Sequence, residues 1–290
     1  MTSKAASLNK PWVLTVNVVN PHFPQYATQE LWDMYPERAD LTKFGMECDS
    51  ANHPYARDLR DHFEADKFTE EQARGIRRGY LADITFVDRQ LGRLLDVMET
   101  QGMMDNTNLI YTSDHGDMMG KFGMWWKCSL YEDSVRIPCI AAGPDFGKGR
   151  VVETPVDLLD VQAAAFNATG AARPDGWSGI PLQDIPEKDC NRVVFAEYHG
   201  HGTSSGAYMI RKGEWKLIYC MEASHLLFNL AEDPGELCNL YEKCAEKATE
   251  LEKELRSICN PEKENERAHS FQEEQMRILL RDFREIKPVE

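Results

Sequence analysis

The sequence predicts an α/β fold: part of an open, mostly parallel sheet flanked by helices, followed by a small antiparallel β unit and terminal helices. Three observations carry this. Short apolar, β-branched runs at 13–19, 108–112 and 136–142 are separated by one long segment of helical periodicity. Beyond a Pro-containing, charged connector near Pro181 to Asp189 come several short strand-like segments. From Tyr241 onward Glu, Lys, Ala and Leu dominate, as in exposed helices. These changes of character divide the chain into 1–185, 186–242 and 243–290.

Each element follows from local chemistry. Val13 to Val19 reads as a largely buried strand that stops at Asn20-Pro21. The stretch from Gln25 to Phe68 mixes Pro, charge and aromatics without a period, so it is a long excursion with short helical pieces. Thr69-Glu70-Glu71-Gln72 has capping-box spacing, and Ile76, Tyr80, Ile84, Val87, Leu91, Leu94, Leu95 and Met98 recur at helical intervals behind it. A helix over about 70–100, stopped by Gly102, is therefore expected, with a strand from Asn108 to Thr112 after it. Helix then strand suggests an α/β crossover. Arg136 to Ala142 is a third strand closed by Gly143-Pro144, and Val156 to Thr169 a helix ended by Gly170. Val193–Tyr198, Ala207–Arg211 and Glu214–Cys220 are short strands, with Lys212-Gly213 as a tight hairpin turn. The tail is one or two helices interrupted at Asn260-Pro261.

Composition bounds the function. The chain has 290 residues, 42% hydrophobic and 28% charged, enough for a real core. Its formal charge of −15 argues against wrapping nucleic acid or lying on an anionic membrane. An anionic ligand must be held by local groups. No apolar run approaches a membrane span, and Met1 to Lys10 lacks the apolar region of a secretory signal, so the default expectation is cytoplasmic. The eight Cys are scattered without a C-x-x-C pair and read as reduced thiols.

Three polar clusters follow the expected strands, where open α/β sheets place their ligand sites. In Asn20-Pro21-His22-Phe23-Pro24 two prolines fix a loop around an imidazole, which is either a proton donor or anion ligand, or a surface turn. In Ser113-Asp114-His115-Gly116-Asp117 a carboxylate and an imidazole leave a strand together, a metal-site spacing. Asp117 capping a short turn is the simpler reading of that loop. Oxygen-rich surroundings favour calcium or magnesium, additional imidazoles manganese or zinc. In Gly123 to Glu132, Lys127 follows two tryptophans and could set an ammonium against an anionic group, although a lone Lys is more often solvated. Cys128 beside it reads as a buried inert thiol.

Taken together and in order, Asn20-Pro-His22-Phe-Pro24, Thr112-Ser-Asp114-His115-Gly-Asp117, Lys127-Cys-Ser-Leu-Tyr-Glu132-Asp-Ser-Val-Arg136-Ile-Pro138 and Thr154-Pro-Val-Asp157-Leu-Leu-Asp160 resemble the type I sulfatases of the alkaline-phosphatase superfamily. The segments Met209 to Tyr219 and Leu227 to Leu240 are similar to the C-terminal subdomain of that family, so the resemblance covers about residues 10–242. It implies an alkaline-phosphatase-like sheet and hydrolysis of a small sulfated substrate, with a phosphorylated one as the alternative. It implies that Asp114 and His115 are ligands of a catalytic divalent metal, with calcium ahead of magnesium, manganese or zinc. His22 and Lys127 would contact the sulfate group, His22 as a candidate proton donor to the leaving oxygen. His199 and His201 would line the substrate pocket, or belong to plain surface.

The chain departs from that pattern in two places. No Cys or Ser begins the C-x-P-x-R or S-x-P-x-R segment from which the family's formylglycine nucleophile arises, and no Asp-Asp pair occurs. The chain thus looks like the downstream portion of a sulfatase, and is expected to be inactive alone and to need an N-terminal complement or a homo-oligomeric partner. Without neighbouring strands it should bare an open edge and apolar surface. The readings in play are a sulfuric-ester hydrolase, a phosphonate monoester or phosphodiester hydrolase, and a non-catalytic remnant that holds a metal or sulfated ligand weakly.

Overall fold

The computed structural model describes residues 10–37 and 45–285. In order, the helices and strands are α1 (Gln29–Asp33), α2 (Asp49–Asn52), α3 (Pro54–His62), α4 (Glu70–Thr100), β1 (Leu109–Thr112), α5 (Glu132–Val135), β2 (Cys139–Ala142), α6 (Leu158–Thr169), β3 (Val193–Tyr198), β4 (Ala207–Lys212), β5 (Trp215–Cys220), β6 (Leu226–Asn229), α7 (Ala245–Ile258) and α8 (Pro261–Glu285). The α/β class and the C-terminal antiparallel unit are as expected; the tail is two helices, but α7 is not the exposed helix expected, since Ala248, Leu251 and Leu255 are buried. None of the described helices is long and apolar enough to cross a membrane. All eight cysteines are free.

The long helix begins where its capping box requires. The Thr69 hydroxyl accepts from the Gln72 backbone and the Gln72 side chain from the Thr69 backbone, which satisfies two donors a helix start leaves orphaned. The same device opens α6, through Asp157 and Asp160. Asp160 is fully buried and also receives Arg192 on both carboxylate oxygens, at 2.7 and 2.6 Å, so α6 is tied to the entry of β3.

Four sequence expectations need correction. Val13 to Val19 is not a strand: it runs without assigned structure, and Val13, Val16 and Val19 are 62, 55 and 80% exposed. Its pattern suits a strand buried on both faces, but among the described residues no neighbour pairs its backbone. The expected parallel order is also absent from the described pair, since β1 and β2 run antiparallel with Leu109 opposite Ala142. The only α-helix in the segment between them is the short α5. The hairpin turn lies one residue later than expected. Lys212 pairs with Trp215, which leaves Gly213-Glu214 as the two-residue loop, and Gly213 takes the left-handed φ of +58° such a turn demands. Finally, β6 extends the sheet to four strands in the order β3-β4-β5-β6.

That sheet is buried on both faces. Tyr208, Ile210, Leu217 and Leu227 pack on Ala248, Leu251 and Leu255 of α7. Met209, Ile218, Leu226 and Phe228 share a second core with Leu59, Phe122, Leu130 and Tyr131 from the first half of the chain. Period-two alternation feeds one set of residues to each face.

Two histidines tie this second core to the turn between β5 and β6. His53 Nδ1 caps α3 by accepting from the Tyr55 backbone at 3.3 Å, and its Nε2 lies 2.9 Å from the Ser224 hydroxyl. His225 Nδ1 accepts from the Cys220 backbone at 3.3 Å. Burial lowers the pKa of both imidazoles, with a further lowering of His53 by His225. Both are held neutral in the fold, so their contribution is present above the ordinary histidine value, about 6.5, and is lost as pH falls below it. Urea unfolding at pH 7.5 and pH 5.5 should therefore give a lower midpoint at the acid value, and His53→Asn, which keeps a capping side chain, should flatten part of the drop.

Candidate active site

The site assembles at the ends of two extended segments and in the loop before α5. The Asn20 amide donates to Asp83 Oδ1 at 2.9 Å, and Asp83 is buried on α4. Burial raises the Asp83 pKa, and the Asn20 bond partly opposes this. The helix thus anchors the loop that carries His22. His22 Nδ1 lies 2.7 Å from the Phe23 carbonyl, so the ring proton sits on Nδ1 and Nε2 is left as an acceptor. The Lys127 ammonium donates to that Nε2. Phe23 stacks on the His22 ring at 4.3 Å, and the Lys127 Nζ lies 5.0 Å above the Phe23 ring.

Past β1, Gly116 donates to the Ser134 carbonyl at 2.8 Å, and a Cβ there would meet the Asp133 carbonyl oxygen at 2.0 Å. Only glycine lets this loop lie against α5. Asp117 accepts at Oδ1 from the Met119 and Trp126 backbones, at 2.9 and 3.1 Å, which closes the loop in front of Lys127. Its part is structural, as the turn-capping reading had it. Burial raises the Asp117 pKa, against those two bonds.

Asp114 and His115 stand at the mouth. His115 Nδ1 is 2.8 Å from the Gly116 carbonyl, and its Nε2 lies 3.6 Å from Asp114 Oδ2. The Asp114 side chain is 82% exposed. Burial would raise the Asp114 pKa, but His115 and backbone donors outweigh it and hold the carboxyl below its ordinary value. The His115 and His22 rings meet edge-on at 5.8 Å. An exposed carboxylate beside an imidazole suits two positions of a divalent-metal shell, and among the described residues no third His, Cys, Asp or Glu completes it.

His201 and His199 are placed differently. The His201 ring packs on Phe63 at 5.5 Å, and Phe63 on Trp126 at 5.1 Å, so an aromatic wall runs from His201 to Phe23. His201 Nε2 is 3.9 Å from the Cys128 sulfur. His199 instead faces Glu197 at 3.3 Å and Tyr208, and its carbonyl accepts from Gln272 of α8. The structure thus brings His22, Lys127, Asp114 and His115 together, sets His201 on the wall beside them, and leaves His199 under the tail helix. Sequence reasoning missed Phe23 as the ring that flanks both His22 and Lys127. Its only signal was its position between His22 and Pro24.

Two family models match the chain. The sulfatase family model matches residues 2–171, and that of the N-sulphoglucosamine sulphohydrolase C-terminal region matches 120–264. Choline-sulfatase of Rhizobium meliloti (strain 1021) is 35% identical over 242 residues, covering 80% of this chain and 47% of the relative. Human (Homo sapiens) arylsulfatase K is 29% identical over 222 residues, covering 72% and 41%. The chain spans less than half the length of these relatives. Among solved structures, phosphonate monoester hydrolase of Agrobacterium radiobacter superposes with a TM-score of 0.74 at 24% identity, over 89% of this chain and 58% of that one. At that identity the likeness is one of fold. A protein solved with its substrate D-glucosamine-2-N,6-O-disulfate gives a TM-score of 0.61 at 25% identity, over 70% and 45%.

Proposed function

The chain belongs to the sulfatase family, and on that premise we propose that it forms the sulfate-facing part of a sulfuric-ester hydrolase, acting on a small sulfate ester. The observation that carries this is the hydrogen bond from Lys127 to His22 Nε2 with the His115 ring at its edge, three groups drawn from distant segments. The glucosamine disulfate bound by one structural neighbour supports a small sulfated substrate.

The residues divide the work. Lys127 offsets negative charge on the sulfate oxygens, and Phe23 covers part of its ammonium from water. His22 Nε2, once it takes a proton from solvent, is the edge that hands that proton to the leaving oxygen, while the Lys127 ammonium beside it keeps its charge. Asp114 and His115 would hold a divalent metal, which when bound offsets charge on the transferring group. His201, through the Phe63–Trp126 wall, borders the alcohol portion of the substrate.

The nucleophile segment and the paired carboxylates are not in this sequence. Turnover needs both groups, from further residues of the same polypeptide or from a second chain. The exposed apolar run Val13–Val19, which pairs with no strand among the described residues, is the surface such a complement would cover. Because two donors hold a hard cation weakly, calcium should raise the melting temperature of the chain alone only at millimolar concentration. Asp114→Ala and His115→Ala should each abolish that rise. A calcium response unchanged in both variants would remove these two residues from the metal site.

A further inference from the structure

We propose that Cys48 and Cys238 are a thiol pair that a small-molecule disulfide oxidises to a reversible intrachain bridge. Both are free in this structure, Cys48 half-buried and Cys238 exposed. Their backbones run past each other. Asp49 donates its N–H to the Leu237 carbonyl at 3.1 Å, the Asp49 carboxylate accepts from the Asn239 backbone at 3.1 Å, and the Ser50 hydroxyl donates to the Glu236 carbonyl. That order sets Ser50 against Glu236 and Asp49 against Leu237, which leaves Cys48 facing Cys238. With the adjoining peptides joined by the Asp49–Leu237 hydrogen bond, standard peptide geometry puts the Cys48 and Cys238 Cα atoms roughly 4.5 to 6.5 Å apart. A disulfide spans about 4.4–6.8 Å between Cα atoms, so the separation is the one a bridge needs.

Both backbones are held in place. Asp233 accepts from the Leu237 and Cys238 N–H groups at 2.7 and 2.9 Å, and the Cys48 carbonyl accepts from the Asn52 backbone and side chain at 3.2 and 3.1 Å. Cys48 and Leu237 also pack against the same core. Two thiols kept this close meet at an effective concentration far above that of a thiol in solution. Exposure sets the order of events. The Cys238 thiolate attacks one sulfur of oxidised glutathione and expels one glutathione; the Cys48 thiolate then attacks the Cys238 sulfur and expels the second. The two protein thiols are oxidised, the glutathione disulfide is reduced, and the two protons end on the glutathione thiols. The bridge ties α2 to the segment that carries Glu236. The ring it closes is long, since the neighbouring Asp49 and Asn239 are 190 positions apart, and it encloses Asp114, His115 and Lys127. Closing so long a loop takes conformational freedom from the unfolded chain.

The test is to treat the folded full chain with oxidised glutathione at about pH 8, block the remaining thiols with N-ethylmaleimide, and digest it for mass spectrometry without reduction. The expected result is a peptide that joins Cys48 to Cys238 within a single chain, with a melting temperature raised by about 5 °C or more. Dithiothreitol should reverse both. Cys48→Ser and Cys238→Ser should each remove the joined peptide and the rise over the variant's own reduced form. In urea, where the two segments are no longer held together, the bridge should form roughly tenfold more slowly. Glutathione adducts alone, a bridge to another cysteine or between two chains, formation as fast in urea as in the folded chain, or a Cys48–Cys238 bridge that leaves the melting temperature where it was would each overturn the proposal.

Discussion

Replacing Lys216 by Met is expected to destabilise the protein by about 3–5 kcal/mol, the cost of leaving buried charge without its partner. Lys216 is fully buried on β5, and its ammonium bridges Glu132 of α5 and Glu236, each at 2.8 Å. Glu236 accepts from the Glu132 backbone through its other oxygen at 2.7 Å, and Arg211 lies 3.4 Å from Glu132. Burial pushes the Glu132 pKa up, but Lys216 and then Arg211 overcome this and hold it below its ordinary value. The network joins the loop that carries Lys127 to the antiparallel sheet. Its removal takes away about a fifth or more of the stability of a typical domain. Urea unfolding measures the loss. Adding Glu236→Gln to Lys216→Met should recover part of it, since Glu236 would otherwise keep only Lys121, 3.7 Å away, as a cationic partner. A loss below about 1 kcal/mol for Lys216→Met would mean that water reaches the cluster and that the ion pairs are not what joins the halves.

The second large effect concerns catalysis. In an enzyme completed with the missing segment, Lys127→Ala should lower kcat by about 10² to 10³-fold, the scale of losing one donor to developing charge. His22→Ala should lower it about 10² to 10⁴-fold, the scale of losing a general acid. Both side chains are only partly buried, so the melting temperature should hardly move. The two share a hydrogen bond, so the double variant should lose much less than the product of the single losses. Strictly multiplicative losses would show that the two act on separate steps.

Much of the fold was legible because it is local. The Thr69–Gln72 and Asp157–Asp160 capping boxes are written within four residues and mark the starts of α4 and α6. Two short strand-like runs flanking Lys212-Gly213 marked the hairpin, although the paired ends could not be told to within one residue. Features that depend on distant partners were hidden. Glu132 and Glu236 are 104 positions apart, and nothing near either announces the other. Asn20 and Asp83, which seat the His22 loop, are 63 apart. The Val13–Val19 run misled for the same reason, since burial of a strand is decided by its neighbours and not by its own side chains. At the site, residue types and order identified His22, Lys127, Asp114 and His115 as candidates. The aromatic wall of Phe23, Trp126 and Phe63 depended on packing that sequence does not record.

The account rests on these residues being half of a sulfatase centre. Its most direct test is to co-express this chain with the N-terminal half of the Rhizobium meliloti choline-sulfatase and measure hydrolysis of an aryl sulfate, alongside a phosphonate monoester. The predicted result is metal-dependent release of sulfate by the complex, preferred over phosphonate cleavage and abolished by Lys127→Ala. A stable, metal-loaded complex with its nucleophile converted to formylglycine and no sulfate release would contradict it, and would leave the chain as a sulfatase-like remnant that keeps the fold without the chemistry.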